Sequence, residues 1–239
     1  MAIKPPDLEW LDGDVPRAAG FNDTYFSKAG GLEETRHVFL AGNGLPERFE
    51  GRTHFTIAEF GFGTGLNFLT TLAAVGGLAR PPALTFLSFE LYPMSAPQLE
   101  RALSAFPELS KYAQTLVSAW APAPGWNRLA FPGADLVVGI GDARELIADL
   151  GRQGAGESAL TPVDAWYLDG FSPARNPELW DPDLLKKAAD LTAGDGTLAT
   201  YSAAGWVRRN LQAAGFTIEK TAGFAGKREM VIGRKTAPA

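Results

Sequence analysis

The chain has 239 residues, a net charge of −5 and a hydrophobic fraction of 46%, and it contains no cysteine. The missing cysteines exclude a disulfide scaffold, a thiolate metal site and a thiol nucleophile. Only His37 and His54 offer imidazole, so we expect no metal. The amino terminus lacks a signal-peptide pattern, and no apolar run reaches about 18 residues. We therefore expect a globular protein of the cytoplasm that does not enter a membrane.

Charged residues are distributed unevenly along the chain. Residues 201–239 hold seven Lys and Arg against two acidic residues, whereas residues 1–200 hold fifteen against twenty-five. A basic end on an acidic body is typical of a phosphate-binding edge. It is equally typical of a solvated tail, and composition alone does not separate the two interpretations.

The predicted elements begin after a region rich in turn signals, residues 1–50. Beyond it, short apolar strands alternate with helices. The predicted strands are Thr53–Phe60, Ala83–Glu90, Ala134–Ile140, Val163–Leu168, Thr197–Ser202, Phe216–Thr221 and Glu229–Ile232. The predicted helices are Leu66–Leu78, Ser95–Phe106 (with Ser95 as a cap), Asp142–Leu150, Pro182–Leu191 and Ala203–Ala214, the last ended by Gly215. Residues 117–132, rich in Pro and Trp, are interpreted as an insertion.

This alternation predicts a doubly wound α/β fold with a mostly parallel sheet covered on both faces. We expect residues 1–50 to form an N-terminal extension packed on the core and residues 51–239 to form the core domain. In such sheets, ligands bind beyond the carboxyl ends of the strands, where strand order reverses. The strand ends are therefore the candidate functional positions.

A glycine-rich turn, EFGFGTG at residues 59–65, lies between the first strand of this sheet and its helix. Glycine lets the backbone turn sharply there and approach a ligand closely. The dinucleotide pattern G-x-G-x-x-G does not fit, because its third glycine would fall at Leu66 or Phe68. A G-x-G-x-G turn preceded by an acid instead resembles the first motif of class I methyltransferases, which bind S-adenosylmethionine. A tight turn without a ligand is the alternative.

Carboxylates end the next two strands. Glu90 lies where nucleotide-binding folds place an acid that accepts hydrogen bonds from ribose hydroxyls, or else it simply faces water. Asp142, followed by Ala143, could accept from an adenine amino group or cap the following helix. Acidic side chains and the ring of Phe62 would also favour a nearby sulfonium.

Asp169-Gly-Phe171 closes the fourth strand, where class I methyltransferases place their acceptor. Methyl transfer is an in-line displacement, so the protein mainly positions the two partners. An alkyl amine acceptor has a pKa of roughly 10, and deprotonating it at pH 7 costs roughly 4 kcal/mol. Asp169 could hold the ammonium and take its proton, and Phe171 could stack on a planar base. The alternative is a structural turn capped by Asp169.

Basic residues follow in the carboxyl-terminal part of the chain. Arg175, Arg208, Lys227 and Arg228 could contact phosphates or could be exposed charges, and the sequence does not separate these roles.

Longer strings make the chain similar to the methyltransferase half of the bacterial MnmC family. These strings are FNDTYFS (21–27), VFLAGNGLPERF (38–49), EFGFGTGLNF (59–68), WYLDGFSPARNPELW (166–180), GTLATYSAAGWVRRNLQAAGF (196–216) and GFAGKREM (223–230). The similarity runs from about residue 20 to residue 233. The resemblance implies transfer of a methyl group from S-adenosylmethionine to the amine of 5-aminomethyl-2-thiouridine, at the wobble position in the anticodon region of tRNA. The implied product is 5-methylaminomethyl-2-thiouridine.

Together, the motifs and the resemblance predict a set of site residues. Asp169 and Phe171 are predicted to be catalytic. The predicted cofactor contacts are Glu59, Gly61, Phe62, Gly63, Gly65, Asn67, Glu90, Asp142, Ala143 and Asp169. The predicted tRNA contacts are Arg175, Arg208, Lys227, Arg228 and, through the resemblance alone, Asn43 in a segment expected to close over the cofactor or the base.

One departure from the bifunctional MnmC enzymes concerns their FAD-dependent oxidase half. This chain ends at Ala239 and carries no dinucleotide fingerprint for FAD, so we expect a stand-alone methyltransferase or one half of a larger enzyme. A separate FAD-dependent oxidase would then act upstream. A class I methyltransferase acting on a small-molecule amine is the alternative function, favoured by the acidic body. A nucleotide-binding module without catalysis is the third.

Overall fold

The computed structural model describes residues 3–153, 162–226 and 228–236. The strands are β1 Leu8–Leu11, β2 Val15–Ala18, β3 Asp23–Thr24, β4 His54–Phe60, β5 Ala83–Glu90, β6 Gly125–Phe131, β7 Ala134–Ile140, β8 Val163–Leu168, β9 Thr192–Thr200, β10 Phe216–Ala222 and β11 Glu229–Lys235. The helices are α1 Gly31–Thr35, α2 Leu66–Gly76, α3 Ala96–Leu103, α4 Ser110–Ala119, α5 Ala143–Gln153, α6 Pro182–Leu191 and α7 Gly205–Ala214.

Eight strands form the main sheet in the order β10-β11-β9-β8-β4-β5-β7-β6. The five central strands, β9 to β7, run parallel, whereas β11 and β6 run antiparallel to their neighbours. Strand order reverses between β4 and β8, so a crevice opens at the carboxyl ends of these two strands. The predicted doubly wound, mostly parallel α/β fold is confirmed.

Both faces of the sheet are covered, as the apolar strands predict. Phe55 and Ile57 of β4 belong to an apolar cluster with α2, α3 and α4, whereas Ala58 and Phe60 belong to a second cluster with α5, α6 and α7. Every residue of β8 is buried. Because successive side chains of a strand point to opposite faces, a central strand must be apolar throughout.

Several predicted element ends are confirmed. Ser95 caps α3 in a capping box with Gln98, and α7 ends at Gly215, whose φ of 106° suits glycine. Strand β9 begins at Thr192 rather than at the predicted Thr197. Residues 193–196 include two glycines and an aspartate and lack the apolar pattern from which a buried strand is predicted.

The first 50 residues are more regular than expected. β1, β2 and β3 form a three-stranded antiparallel sheet, and α1 continues into π- and 3-10-helical turns at Arg36–Leu40 and Ala41–Asn43. Leu32, Phe39 and Phe49 join the apolar cluster that contains α2. This segment is therefore part of the packed core, while the domain boundary at residue 50 stays a prediction.

The interpretation of residues 117–132 as an insertion is wrong. Residues up to Ala119 complete α4, and β6 pairs with β7 from Gly125↔Ile140 to Phe131↔Ala134. Trp126 packs against Phe89, with ring centroids 5.6 Å apart. Packing against the sheet thus outweighs local composition.

The described residues contain neither a membrane-spanning helix nor a cluster of metal ligands. None of their helices combines the length and apolar character needed to cross a bilayer. They also contain no group of three His, Asp or Glu side chains suited to hold a metal ion.

Candidate functional site

A cavity of 740 Å³ lies at the carboxyl ends of the parallel strands. It is lined by the turn after β4, by Glu90 at the end of β5, by the start of α5 after β7, and by the loop after β8. The N-terminal segment from residue 21 to residue 39 supplies a further wall. The cavity therefore lies at the crevice predicted from strand order.

The glycine turn takes backbone conformations that other residues rarely adopt. Gly61 has a φ of 88° and Gly65 a φ of 74°. A Cβ on Gly61 would lie 3.0 Å from the Cα of Gly170, so the loops after β4 and β8 touch at this point. The amides of Gly61 and Phe62 donate to the Phe89 carbonyl. Gly61, Gly63 and Phe62 line the cavity.

Glu90 links β5 to the glycine turn. Its carboxylate accepts hydrogen bonds from the backbone amides of Gly63 (2.8 Å) and Tyr92 (2.7 Å). Burial raises the pKa of Glu90, and these amides oppose the rise. Each oxygen keeps acceptor capacity for a further donor such as a ribose hydroxyl.

Asp142 performs the capping role considered for it. Its Oδ1 accepts from the Arg144 amide at 2.8 Å, at the start of α5, and the Arg144 guanidinium also donates to the carboxylate. The hydrogen bond from Arg144 lowers the pKa of Asp142. Both residues and Ala143 line the cavity, so a second acceptor role for Asp142 toward adenine remains compatible with the cap.

One amide joins two carboxylates beneath the cavity. The Nδ2 of Asn67 donates to Oε1 of Glu59 and to Oδ2 of Asp169, each at 2.8 Å. Its Oδ1 accepts from the Thr35 hydroxyl at 2.7 Å. Asn67 and Asp169 line the cavity. Glu59 is fully buried (0% exposed) and lies behind Asn67, so its predicted direct cofactor contact is not supported by its position.

Glu59 sits in an environment that disfavours charge. Burial raises the pKa of Glu59 well above its usual value, hydrogen bonds from Ser88 and Asn67 lower it, and the nearby Asp169 raises it. The Ser88 hydroxyl lies 2.6 Å from Oε2. Burial therefore favours the uncharged form of Glu59, whereas Asp169 lies at the cavity wall.

Aromatic rings pack against Phe171 in the loop that follows Asp169. Phe171 stacks on Phe21 with centroids 4.5 Å apart and meets the edge of Tyr25 at 5.1 Å. The Tyr201 hydroxyl donates to the Gly170 carbonyl at 2.8 Å. These contacts fix the loop after β8 in which Asp169 and Phe171 were predicted to act.

The cavity wall is predominantly acidic. Among the described residues it carries three cationic side chains, Lys28, Arg144 and Arg175, and six carboxylates, Asp23, Glu34, Glu90, Asp142, Asp169 and Glu178. S-Adenosylmethionine carries a sulfonium, an ammonium and a carboxylate, and is therefore a net cation. The glycine turn, the volume and the excess of carboxylates fit that cofactor.

Some predicted contacts lie elsewhere. Asn43 is buried (1% exposed), and its amide donates to the carbonyls of Phe39 and Trp166 and accepts from the Thr197 hydroxyl. These contacts hold the N-terminal turns on β8 and β9, and the position of Asn43 does not support its predicted role in closing over a ligand. Arg175 lines the cavity, whereas Arg208 and Arg228 do not. Lys227 lies outside the described residues.

Other cavity residues were not predicted. Phe21, Asp23, Tyr25 and Thr35 come from the N-terminal segment, and Tyr201 follows β9. FNDTYFS, at residues 21–27, was noted only as part of the resemblance. Its density of aromatic and polar residues in a turn-rich stretch was the available signal.

The sheet order, the glycine turn and the strand-end acids define a class I S-adenosylmethionine-dependent methyltransferase. A sequence profile described as "S-adenosyl-L-methionine-dependent methyltransferase" matches residues 107–236, so the chain belongs to this family of enzymes. Its cofactor is S-adenosylmethionine.

Two curated relatives and one solved structure resemble the chain over nearly its whole length. The tRNA 5-methylaminomethyl-2-thiouridine biosynthesis bifunctional proteins MnmC of Aeromonas salmonicida and Aeromonas hydrophila are each 44% identical over 95% of this chain. The chain spans 35% of the length of either relative. The crystal structure of MNMC2 from Aquifex aeolicus, 22% identical, aligns with 98% of this chain and 71% of that chain at a TM-score of 0.76, which confirms the fold.

Gly61→Ala should weaken cofactor binding strongly. Its Cβ would press on the backbone of Gly170 at 3.0 Å, and its φ of 88° is unfavourable for alanine. Gly51→Ala is the matched control, because Gly51 has a φ of 72° but open space around a Cβ. Both variants should lose stability, since a left-handed conformation costs about 1–2 kcal/mol. Calorimetric titration with S-adenosylmethionine should show at least a tenfold weaker Kd for Gly61→Ala only; equal affinities would refute the close approach.

Glu59→Gln should alter how stability depends on pH. Between the pKa of Glu59 in the unfolded chain and its raised pKa in the folded protein, only the folded state keeps the proton. Wild-type stability should therefore fall as pH rises through this interval, by up to about 1.4 kcal/mol per pH unit. Glutamine can replace the neutral acid between Asn67 and Ser88, so the variant should gain stability relative to wild type from pH 4.5 to 7.

Urea unfolding at pH 4.5, 5.5 and 7 measures this difference. Glu229→Gln is a control of opposite sign, because the hydrogen bond from Lys220 lowers the pKa of that exposed carboxyl. Removal of the Glu229 carboxylate should lower stability at neutral pH more than at low pH. A pH-independent difference between Glu59→Gln and wild type would mean that Glu59 titrates normally.

Proposed function

We propose that the chain is a tRNA methyltransferase that converts 5-aminomethyl-2-thiouridine at the wobble position to 5-methylaminomethyl-2-thiouridine. The observation that carries the proposal is Asp169, a carboxylate held at the wall of an acidic cavity. The 44% identity to proteins named for this biosynthesis supports the substrate. In this proposal the aminomethyl group is exposed by a separate FAD-dependent oxidase step.

Cofactor binding is assigned to the strand ends. S-Adenosylmethionine supplies a methyl group on a positively charged sulfur. The turn from Gly61 to Gly65 would cradle its methionine part, Glu90 would accept from its ribose, and Asp142 and Ala143 would border its adenine. Leu91, 46% exposed beside Glu90, offers apolar surface that a purine ring would cover.

Asp169 is assigned to the acceptor amine. Hydrogen bonds from Asn67 Nδ2 and the Gly170 amide, both 2.8 Å, fix the carboxylate. It binds the ammonium form, takes one proton and leaves a lone pair for attack in line with the carbon–sulfur bond. The new carbon–nitrogen bond forms as the carbon–sulfur bond breaks, and the sulfur retains the electron pair.

The aromatic pair is assigned to the target base. Phe171 and Phe21 present stacked rings at the cavity wall, and aromatic side chains bind unpaired bases of RNA by stacking. A base stacked on this pair would lie beside the loop that carries Asp169, because Phe171 follows Asp169 by two residues. The stack would place an aminomethyl substituent toward the carboxylate.

A small-molecule amine is the second candidate acceptor. The acidic cavity and the net charge of −5 favour a free cationic amine over a polyanion. Salt separates the candidates, because phosphate contacts make RNA affinity fall steeply with salt concentration. A small amine acceptor should show a much weaker dependence.

Labelled S-adenosylmethionine and tRNA from cells lacking this modification test the proposal directly. Nucleoside analysis should find the label in 5-methylaminomethyl-2-thiouridine. Unlabelled tRNA, with cofactor binding intact, would contradict the tRNA assignment and favour the small-molecule acceptor.

Asp169→Asn should lose turnover and keep the cofactor. The amide cannot take a proton, and a positioned general base contributes about 10²–10⁴-fold to rate. Single-turnover methylation should slow by at least about 10²-fold, whereas S-adenosylmethionine affinity should change little. Glu145→Gln, at an exposed carboxyl of α5 outside the cavity wall, is the control. An unchanged rate in Asp169→Asn would refute the base assignment.

A further inference from the structure

A second cavity, of 350 Å³, adjoins the first. The two share Asp23, Thr24, Lys28 and Arg175. The additional walls of the second come from Leu11, Arg17 and Asn22 of the N-terminal segment. A ligand in the first cavity can therefore extend into the second without leaving the protein surface.

The second cavity has the opposite charge. Arg17, Lys28 and Arg175 line it together with one carboxylate, Asp23. The two oxygens of Asp23 accept from the backbone amides of Thr24 (3.0 Å) and Ser172 (2.9 Å). This carboxylate is thus engaged in joining the N-terminal segment to the loop after β8, and the cations define the potential of the cavity.

The cations are available to a ligand. Arg17 pairs with Glu9 at 2.7 Å, but both side chains are partly exposed, at 33% and 53%. Within the described parts of the chain, no carboxylate lies within ion-pair distance of Lys28 or Arg175. Exposed ion pairs contribute little stability, so an incoming anion can compete with Glu9 for Arg17.

Arg175 is oriented by its neighbours. Its Nη1 donates to the Phe21 carbonyl at 3.0 Å, and Phe21 carries the ring that stacks on Phe171. A guanidinium has five N–H donors in a planar fork suited to a phosphate. The same residue that anchors the aromatic pair therefore faces the cationic cavity.

We propose that the second cavity binds a backbone phosphate of the RNA next to the target nucleotide, through Arg17, Lys28 and Arg175. This inference rests on the proposed tRNA substrate. A base held at the Phe21–Phe171 pair has its flanking phosphates one ribose away, at the adjoining surface. This proposal assigns phosphate binding partly to the N-terminal segment. The charge distribution along the sequence had indicated the basic carboxyl-terminal part instead.

The test compares two RNA hairpins that carry 5-aminomethyl-2-thiouridine in the loop. One has natural linkages, and the other has neutral methylphosphonate linkages on both sides of that nucleotide. Wild type should bind the neutral-linkage hairpin about tenfold more weakly, as expected for a lost charge-assisted hydrogen bond. The double variant Arg17→Gln/Lys28→Gln keeps Arg175, so it should bind the natural hairpin more weakly than wild type and show a difference between the two hairpins well below tenfold.

Salt dependence gives a second readout. The slope of log affinity against log salt should be less steep in the double variant by about 0.7 for each lost phosphate contact. Glu9→Gln removes the counter-ion of Arg17 and should tighten binding of the natural hairpin. Arg128→Gln, on β6 and paired with Asp135, is the control for loss of a distant exposed cation and should leave both Kd values unchanged.

Folding and cofactor binding are checked independently. Of the two cavities, Arg17 lines only the second. The single variant Arg17→Gln should therefore keep the wild-type Kd for S-adenosylmethionine. Its difference in affinity between the two hairpins should be smaller than that of wild type. If wild type binds the RNA tightly but the double variant keeps the full tenfold difference between the two hairpins, the phosphate site is refuted. The proposed function is not refuted by that result. Failure of wild type to bind or methylate either hairpin would overturn both.

Discussion

The site depends on one side-chain amide placed between two carboxylates. The Nδ2 of Asn67 donates hydrogen bonds to Glu59 and to Asp169, and its Oδ1 accepts a hydrogen bond from the Thr35 hydroxyl. Two neighbouring carboxylates repel each other when both are charged, and burial further raises the free energy of the charged forms. Glu59 is fully enclosed, whereas Asp169 borders the cavity. The amide of Asn67 thus links a fully buried acid at the end of β4 to the acid that follows β8 at the cavity wall.

The same amide connects three parts of the chain. Thr35 ends α1 in the N-terminal segment, Asn67 lies in the first turn of α2, and Asp169 follows β8. The neighbouring pair Asp23 and Ser172 makes a second link between the N-terminal segment and the loop after β8. Residues outside the parallel sheet therefore help to hold the Asp169 carboxylate and the loop after β8, and the N-terminal segment is packed into the core rather than attached to its surface.

Sequence reasoning recovered the parallel sheet and the strand-end motifs because both depend on local patterns. β5, β7, β8 and α6 have the predicted bounds, since each is a continuous apolar or amphipathic run between turn residues. The roles of Thr35, Phe21 and Asp23 could not be predicted, because they arise from contacts between residues far apart in the chain. The hydrogen bonds of Asn43 to Phe39, Trp166 and Thr197 have the same origin. A turn-rich string indicates a loop, but it does not indicate which residues the side chain of Asn43 contacts. β6 was not predicted because it is stabilised by pairing with β7, whereas its Pro- and Trp-rich sequence surroundings give no strand pattern.

The acidic wall of the first cavity also bears on what happens after the reaction. A positively charged sulfonium repels an amine that arrives as an ammonium, and the excess of carboxylates in the wall offsets this repulsion until the amine gives up its proton. Methyl transfer converts the sulfonium into an uncharged thioether, so the spent cofactor loses the part of its attraction that came from that charge. The wall that gathers the reactants therefore retains the spent cofactor less strongly, and the chemical step itself favours exchange of the used cofactor for a fresh one.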